Sequence, residues 1–400
     1  MINHEEIQKL AKGTPSKIVM LVLDGLGGLP HPDTGKTELE TANTPNFDKL
    51  SSQSICGLSY PISPGITAGS GPAHLALFGY DPIKNVIGRG VLESLGIDFD
   101  LRKNDVAARA NFCTIDETGL VTDRRAGRIP TAESSKLCDK LNDIKLSGSE
   151  ISVVPVSEHR FVVVFRGDGL GAEPNDTDPQ HEGLAPLKVV GSSKEDQKTA
   201  ALANEFVEKA KDILSDSHPA NMLLLRGFSK LPDIPNFDEL FKLKASAIAC
   251  YPMYLGLAKC VGMETFKCSS VENEFDTLGR LYNDYDFFYI HIKKTDSHGE
   301  DGSFDTKVKE IEKVDSLLHK IIDLKPDVIV VAGDHSTPAA IKGHSWHPIP
   351  LLIYSQWCRK DSVQSFGEAD CAAGALGNLP AVDIMPLAMA NALKLNKYGA

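Results

Sequence analysis

Apolar residues run unbroken from Ile18 through Val19, Met20, Leu21, Val22 and Leu23, and stop at Asp24, which Gly25, Gly27 and Gly28 follow closely. A continuous run closed by a carboxylate and glycines predicts a strand buried on both faces of a sheet, with the acid at its carboxyl end. The same texture returns at 287–292 and 328–332, and in shorter form at 245–250 and 349–354. Helical patterning separates these runs, over 251–261, 307–324 and 382–393. Near the start of the chain, residues 1–13 hold a polar helix. Thr44 and Pro45 then open another, with Thr44 as its cap, Pro45 in its first turn, and Phe47 and Leu50 on its apolar face. A short helix is predicted to begin just after Ser70 and to run to Phe78.

The texture changes near Lys84. From there to about Leu240 the pattern predicts short strands over 107–114, 151–156, 160–165 and 222–226, with polar connections at 167–182 and 190–196. No internal repeat is present. The expected architecture is an α/β, doubly wound sheet domain made from residues 1–83 and 241–400, with an α+β domain of residues 84–240 inserted in it.

Composition narrows the class of function. The 400 residues carry 42 Lys and Arg against 54 Asp and Glu, a net charge of −12, and 42% of them are hydrophobic. That is the composition of a folded, acidic globular protein, and it disfavours nucleic acid, whose binding draws on a basic surplus. No run approaches the roughly 20 apolar residues that span a bilayer. Residues 1–13 are too charged for the apolar stretch of a secretory signal, so a cytoplasmic protein is expected. The eight cysteines form no C-x-x-C pair and read as reduced, mostly buried thiols.

Candidate chemistry gathers at the strand ends. Asp24 follows the first strand, the segment from Lys293 to Asp301 with Asp296, His298 and Glu300 follows another, and Gly333, Asp334 and His335 follow a third. His344 and His347 come soon after. Carboxyl ends of strands in an open α/β sheet share one rim, so these distant groups are expected to converge. Six of the twelve histidines (His291, His298, His319, His335, His344 and His347) fall between 291 and 347. Mixed Asp and His ligands suit Mn2+ or Zn2+, and several carboxylates suit two ions side by side. A lone histidine is more often an ordinary core or surface residue, and an aspartate after a strand is often a cap; the pattern lies in three ends at once. Ser70, between Gly69 and Gly71 at a helix start, is a candidate nucleophile, although most serines in such a setting are turn residues.

Taken in order, Leu23-Asp24-Gly25, Thr44-Pro45-Asn46-Phe47-Asp48, Ser70 with His74, Asp296, Asp334-His335 and His344-Ser345 resemble the motifs of the alkaline phosphatase superfamily. More narrowly, the chain resembles the archaeal-type cofactor-independent phosphoglycerate mutases. The pieces that look like that family's insert include Ile87-Gly88-Arg89-Gly90, Asp123-Arg124-Arg125-Ala126-Gly127-Arg128, Glu158-His159-Arg160, Phe165-Arg166-Gly167, Asn175-Asp176-Thr177-Asp178-Pro179 and Leu225-Arg226-Gly227. The likeness spans nearly the whole chain.

The resemblance implies interconversion of 3-phosphoglycerate and 2-phosphoglycerate through a phosphoserine at Ser70, without 2,3-bisphosphoglycerate. It implies two divalent ions, usually Mn2+ and sometimes Zn2+ or Mg2+. Asp24, Ser70, Asp334 and His335 would hold one; Asp296, His344 and the residue four after Asp296 would hold the other. In many relatives that last residue is histidine. Here it is Glu300, with His298 two positions earlier as the alternative, and a glutamate favours Mn2+ or Mg2+ over Zn2+. A lysine that serves the serine-side ion in the wider group has Tyr251 or Lys259 nearest to its place. Arg124, Arg125, Arg128, Arg166 and Arg226 offer the bidentate contacts that a phosphate and a carboxylate need. His159 and Asp178 are candidates for moving protons at the glycerate hydroxyls, and the inserted domain is expected to close over the site. The partner implied is a small phosphorylated acid, with neither nucleic acid nor membrane; the oligomeric state is not specified. Two other readings stand beside this one: a metal-dependent phosphatase or phosphotransferase, for instance one acting on homoserine, and a non-catalytic metal- or sugar-phosphate-binding protein.

Overall fold

Six consecutive side chains from Ile18 to Leu23, every one fully buried, need cover on both faces, and the strand Ile18–Leu23 accordingly lies inside an eight-stranded sheet. The computed structural model describes residues 4–399. Across the sheet the strands run Gly377–Pro380, Ile55–Tyr60, Ile349–Ser355, Val328–Ala332, Ile18–Leu23, Phe287–Ile292, Ala245–Ala249 and Glu264–Lys267. Ile349–Ser355 is antiparallel to both of its neighbours, and the strands from Val328–Ala332 to Glu264–Lys267 are mutually parallel. Register aligns the strand ends: Leu23 pairs with Ile292 and Val22 with Ala332. The three chains therefore leave the sheet side by side, and Asp24, the segment after Ile292, and Asp334 emerge on one rim.

Helices Val271–Leu281 and Phe304–Leu317 bury Val271, Phe275, Leu278, Ile311 and Val314 in the same apolar cluster as Val19, Leu21, Phe288, Ile290 and Val331. The helix expected over 307–324 is two, Phe304–Leu317 and His319–Ile322, because the bonds around Leu318 tighten to three-residue spacing. Thr44 precedes the helix Pro45–Ser51 but makes no side-chain cap bond. Asp315 supplies the acceptor instead, taking the N–H of Phe47 at 2.7 Å and of Asn46 at 3.3 Å. An acceptor from across the fold satisfies the first turn as well as a local one would.

The chain divides into two units, Met1–Val86 with Ile234–Ala400, and Ile87–Asp233. Residues 234–240 belong to the first unit because Phe237 packs on Phe241 and Phe287, with ring centroids 4.7 and 4.8 Å apart. The second unit is an antiparallel sheet centred on Val106–Ile115, which pairs with Val121–Asp123, Arg160–Arg166 and Met222–Ser229; Glu150–Ser157 extends it beyond Arg160–Arg166. Helices Thr131–Asn142 and Lys194–Leu214 contribute Leu137, Leu141, Ala203 and Phe206 to its core. Sequence patterning assigned neither helix, although Ser193 and Asp196 form a reciprocal capping box at the start of the second. Among the described residues no helix is long and apolar enough to cross a membrane.

Candidate functional site

At the shared rim, Asp24 and Asp334 are fully buried carboxylates. Asp334 Oδ1 accepts the backbone N–H groups of Gly25 and His335, both at 3.0 Å, while its Oδ2 has no donor. Asp24 Oδ2 accepts the Tyr254 hydroxyl and lies 3.1 Å from Lys293 Nζ, and its Oδ1 also has no donor. His335 Nε2 faces these bare oxygens, 3.3 Å from Asp24 Oδ1 and 3.1 Å from Asp334 Oδ2, and it is 3.2 Å from Ser70 Oγ.

Hydrogen bonds further out set the tautomers. The Thr337 hydroxyl donates to Asp296 Oδ1 at 2.6 Å, so at 2.9 Å it accepts from Nδ1–H of His335 and leaves Nε2 with its lone pair free. His344 donates Nδ1–H to the Ala68 carbonyl at 2.9 Å, which turns its Nε2 toward Asp296 Oδ1, 3.6 Å away. This is how metal-binding imidazoles are usually oriented. Ligand atoms of Asp24, Asp334 and His335 lie within 4.8 Å of one another, as do those of Asp296, His335 and His344. Bare buried carboxylate oxygens opposite imidazole lone pairs are acceptors without donors, an arrangement that a divalent cation satisfies.

Ser70 opens the helix Ser70–Leu77. Gly69 precedes it with extended backbone and no side-chain cap bond, and the N–H groups of a helix's first turn have no partner within the helix. One turn on, His74 Nδ1–H donates to the Ser70 carbonyl at 2.8 Å. Burial, with His291 nearby, pushes His74 down to about 3, so it is a neutral imidazole. Beneath Asp24, His291 stacks on Tyr254 with ring centroids 3.5 Å apart, and its Nε2 stands 3.4 Å from Asp24 Oδ2 without the geometry of a hydrogen bond.

The two buried carboxylates divide the electrostatic strain. Burial and the Asp24 charge together hold Asp334 well above the ordinary carboxylate range. Burial also disfavours ionised Asp24, but His291, Lys293 and His335 outweigh it and hold Asp24 low. Ionisation of Asp334 is thus opposed by a neighbour that holds its own charge.

Glu300 and His298 separate by helix geometry. Asp296 and Glu300 are four apart on Lys294–Glu300 and share a face, and Glu300 Oε1 lies 3.8 Å from His344 Nε2. His298, two residues from Asp296, points elsewhere on the turn. The lysine beside Asp24 and Asp296 is neither Lys259 nor at position 251 but Lys293, which ion-pairs with both acids; its Nζ lies 5.8 Å from the ring centre of Tyr251. Sequence reasoning quoted Lys293 without giving it a role, and it missed Tyr254, Thr337 and His291 as neighbours of the ligands. Lysine next to a strand end was the one available signal.

A second polar centre lies within the unit Ile87–Asp233. Arg89, Arg109, Arg124, Arg125, Arg128, Arg160 and Arg226 line a cavity of about 430 Å3 with Asn111, Glu158 and His159. Asp123 shapes one wall by accepting the N–H groups of Arg125 at 2.8 Å and Gly127 at 2.6 Å, which folds 124–128 into a tight turn. Of the five arginines expected, Arg166 is not in the cavity. Buried Asp105 holds it through two bonds of 2.9 and 2.6 Å. Asp178, 2% exposed, is held by Arg124 at 3.0 and 2.7 Å, with Arg226 at 3.3 Å. His159 keeps Nδ1 without a partner, and burial with Arg160 nearby pushes it down to about 4. Arg109 Nε and Arg160 Nε are buried donors without acceptors. Arg89, Arg109 and Arg160 were not singled out from sequence.

A family model described as 2,3-bisphosphoglycerate-independent phosphoglycerate mutase matches residues 51–221. The chain is 52% identical to a probable 2,3-bisphosphoglycerate-independent phosphoglycerate mutase of Thermotoga neapolitana, over 98% of each chain. It is 49% identical to one of Aquifex aeolicus, over 98% of this chain and 99% of that one. Among solved structures, a protein from Pyrococcus horikoshii superposes with a TM-score of 0.84 at 32% identity, covering 97% of this chain and all of that one. The cofactor-independent phosphoglycerate mutase from Thermoplasma acidophilum superposes with a TM-score of 0.72 at 31% identity, covering 94% of this chain and all of that one. The chain belongs to the family of 2,3-bisphosphoglycerate-independent phosphoglycerate mutases.

Proposed function

We propose that this mutase interconverts 3-phosphoglycerate and 2-phosphoglycerate by passing the phosphoryl group through Ser70. The observation that carries the reading is Ser70 Oγ at the head of its helix, 3.2 Å from His335 Nε2, beside two sets of converging Asp and His ligands. Asp24, Ser70, Asp334 and His335 would hold one divalent ion and Asp296, His344 and Glu300 the other. Oxygen ligands outnumber imidazoles, which favours Mn2+. Bound there, the ions would lower the pKa of the Ser70 hydroxyl and offset charge on the phosphoryl oxygens.

Ser70 Oγ forms a bond to phosphorus as the bond from phosphorus to the glycerate oxygen breaks, and the proton lost by the Ser70 hydroxyl balances the one the glycerate oxygen takes up. First-turn N–H groups of the Ser70 helix would offer donors to the transferred oxygens. Arg125 and Arg128, with Arg89, Arg109 and Arg160, hold the glycerate carboxylate and keep glycerate from leaving while it turns. The other hydroxyl then takes the phosphoryl group from Ser70. Of the two proton-transfer candidates, His159 suits the task, because it is neutral with Nδ1 unpartnered; Asp178 is fully occupied by Arg124 and Arg226. Glycolysis and gluconeogenesis are the reactions this chemistry serves, and the cytoplasm is the compartment that follows from them.

Phosphorus NMR of the enzyme with 3-phosphoglycerate tests the reading: 2-phosphoglycerate accumulates with little inorganic phosphate. Inorganic phosphate as the main product would replace the mutase by the phosphatase.

A further inference from the structure

We infer that Lys307 is a built-in cation that locks together the loops carrying the metal ligands, a positioning residue of the metal centre that touches no metal. The inference rests on the proposed two-ion centre. Lys307 lies in the helix Phe304–Leu317 and is fully buried. Its Nζ donates to the carbonyls of Gly25 at 2.8 Å, Gly27 at 3.0 Å and Thr337 at 2.9 Å. Three acceptors use all three N–H groups of an ammonium; a neutral amine, with two, could donate to only two of them.

These carbonyls belong to the two loops that matter. Gly25 directly follows Asp24, and Thr337 is the residue whose hydroxyl joins Asp296 to His335. The N–H groups of the same loops go to one buried carboxylate and one half-buried one. Glu38 accepts from Leu29 at 3.2 Å and Ala339 at 2.8 Å, and Glu368 accepts from Gly28 at 2.9 Å. One lysine thus collects the loops' carbonyls while two glutamates collect their amides. Burial lowers the pKa of Lys307, and the charges of Glu38, Glu368, Asp296 and Asp24 oppose that fall.

The crossing is packed so closely that a shift in one loop moves the other. A Cβ on Gly25, whose φ is +63°, would fall 2.4 Å from Thr337 Oγ1 and 2.9 Å from Asp296 Cβ, and one on Gly299 would fall 2.1 Å from the Thr337 carbonyl oxygen. Without the charge, the Thr337 carbonyl loses the Lys307 donor and those of Gly25 and Gly27 keep only the Thr337 N–H, at 3.3 and 3.0 Å, so the two loops shift and re-aim Asp24 and the Thr337 bridge. The ligands stay in the chain but leave their places.

The test is Mn2+ binding to chelator-stripped full-length protein, read as free Mn2+ by electron paramagnetic resonance, with circular dichroism and thermal melting to follow the fold. Lys307→Met should fold and bind Mn2+ about 10- to 100-fold more weakly. In Lys307→Ala, n-propylammonium, which replaces the deleted atoms, should restore affinity, and tetramethylammonium, with no N–H to donate, should not. Native Mn2+ affinity in folded Lys307→Met overturns the inference, as does a lower melting temperature with affinity unchanged. If Lys307→Met does not fold, Lys307→Arg decides: its planar fork cannot aim at all three carbonyls, so weakened binding supports the inference and native binding overturns it. If the native protein itself takes up no Mn2+, the metal-centre reading falls, an outcome distinct from native and variant binding alike.

Discussion

The two polar centres of this chain are opposite in sign. At the rim of the first unit, Asp24 Oδ1 and Asp334 Oδ2 are buried acceptors with no donor; in the cavity of the second, Arg109 Nε and Arg160 Nε are buried donors with no acceptor. Each such group costs about 1–3 kcal/mol to leave unsatisfied, so folding generally pairs or exposes them. Converging carboxylates at the rim suit a cation and seven arginines around the cavity suit an anion, although Asn111 Oδ1 in that cavity is also an acceptor without a donor. A net charge of −12 conceals this, because the arginines are concentrated around one cavity. Electrostatics that decide function are local, and whole-chain charge speaks only to bulk partners.

The largest effect should come from removing the nucleophile while both centres stay intact. Ser70→Ala is expected to lower mutase activity more than about 10,000-fold. Acid quenching after brief exposure to labelled 3-phosphoglycerate should leave label on the Ser70 peptide of the native enzyme and none on the variant. Label on a histidine would remove the phosphoserine from the mechanism.

Breaking the acceptor centre comes next. EDTA should abolish activity and Mn2+ restore it best; Asp334→Asn should cost activity about 100- to 1,000-fold and erase the rise in melting temperature that Mn2+ gives the native enzyme. Without metal the sign reverses: the variant should be at least as stable as native, since it removes the carboxyl that burial and Asp24 hold protonated. Because metal must displace that proton, native Mn2+ affinity should rise with pH, by up to about tenfold per unit for each proton released. Calorimetry in buffers of different ionisation enthalpy would count those protons, and pH-independent binding would contradict the raised Asp334.

The donor centre should respond differently. Arg125→Ala or Arg128→Ala is expected to depress the mutase rate about 10- to 100-fold and to raise the share of inorganic phosphate, because loosely held glycerate leaves and water takes the phosphoryl group. Arg166→Ala is the control. With Asp105 as its partner, its loss should lower the melting temperature and leave the ratio of mutase to hydrolysis unchanged. If Arg166→Ala raises hydrolysis as much as Arg125→Ala does, the cavity is not what retains glycerate.

How far these centres could be read in advance depends on what holds each residue in place. Asp24, Asp334 and His335 stand directly after continuous apolar strands, so periodicity placed them on one rim. The strand runs 287–292 and 328–332 were legible to the residue for the same reason. Tyr254, Thr337 and Lys307 were not legible, since each acts through a contact with residues distant in sequence that only the packed fold creates. Arg166 looked like Arg124 in sequence, both being arginines in matching motifs, and a buried aspartate pairs with each; what separates them is that only Arg124 lines the cavity. Asp315, which replaces Thr44 as helix cap, shows the same limit in a structural role.

The smallest effect should sharpen the acceptor centre from within, at the ligand where this chain carries Glu300. Asp296 and Glu300 share a helix face and Glu300 Oε1 lies 3.8 Å from His344 Nε2, whereas His298 is turned away by two residues of helix. The Glu300 side chain is 54% exposed, so it enters the centre from the solvent edge and contributes less than the buried acids. Glu300→Gln keeps its size and one acceptor oxygen but removes the charge, and is expected to weaken the Asp296 and His344 ion about tenfold while leaving the Asp24 and Asp334 ion nearly unchanged. His298→Gln should change neither. Stepwise Mn2+ titration separates the two ions, and Zn2+ competition adds a second reading: Glu300→His should shift preference toward Zn2+ by exchanging an oxygen ligand for an imidazole. A larger loss in His298→Gln than in Glu300→Gln would move the ligand two residues back and require the helix Lys294–Glu300 to turn when metal binds.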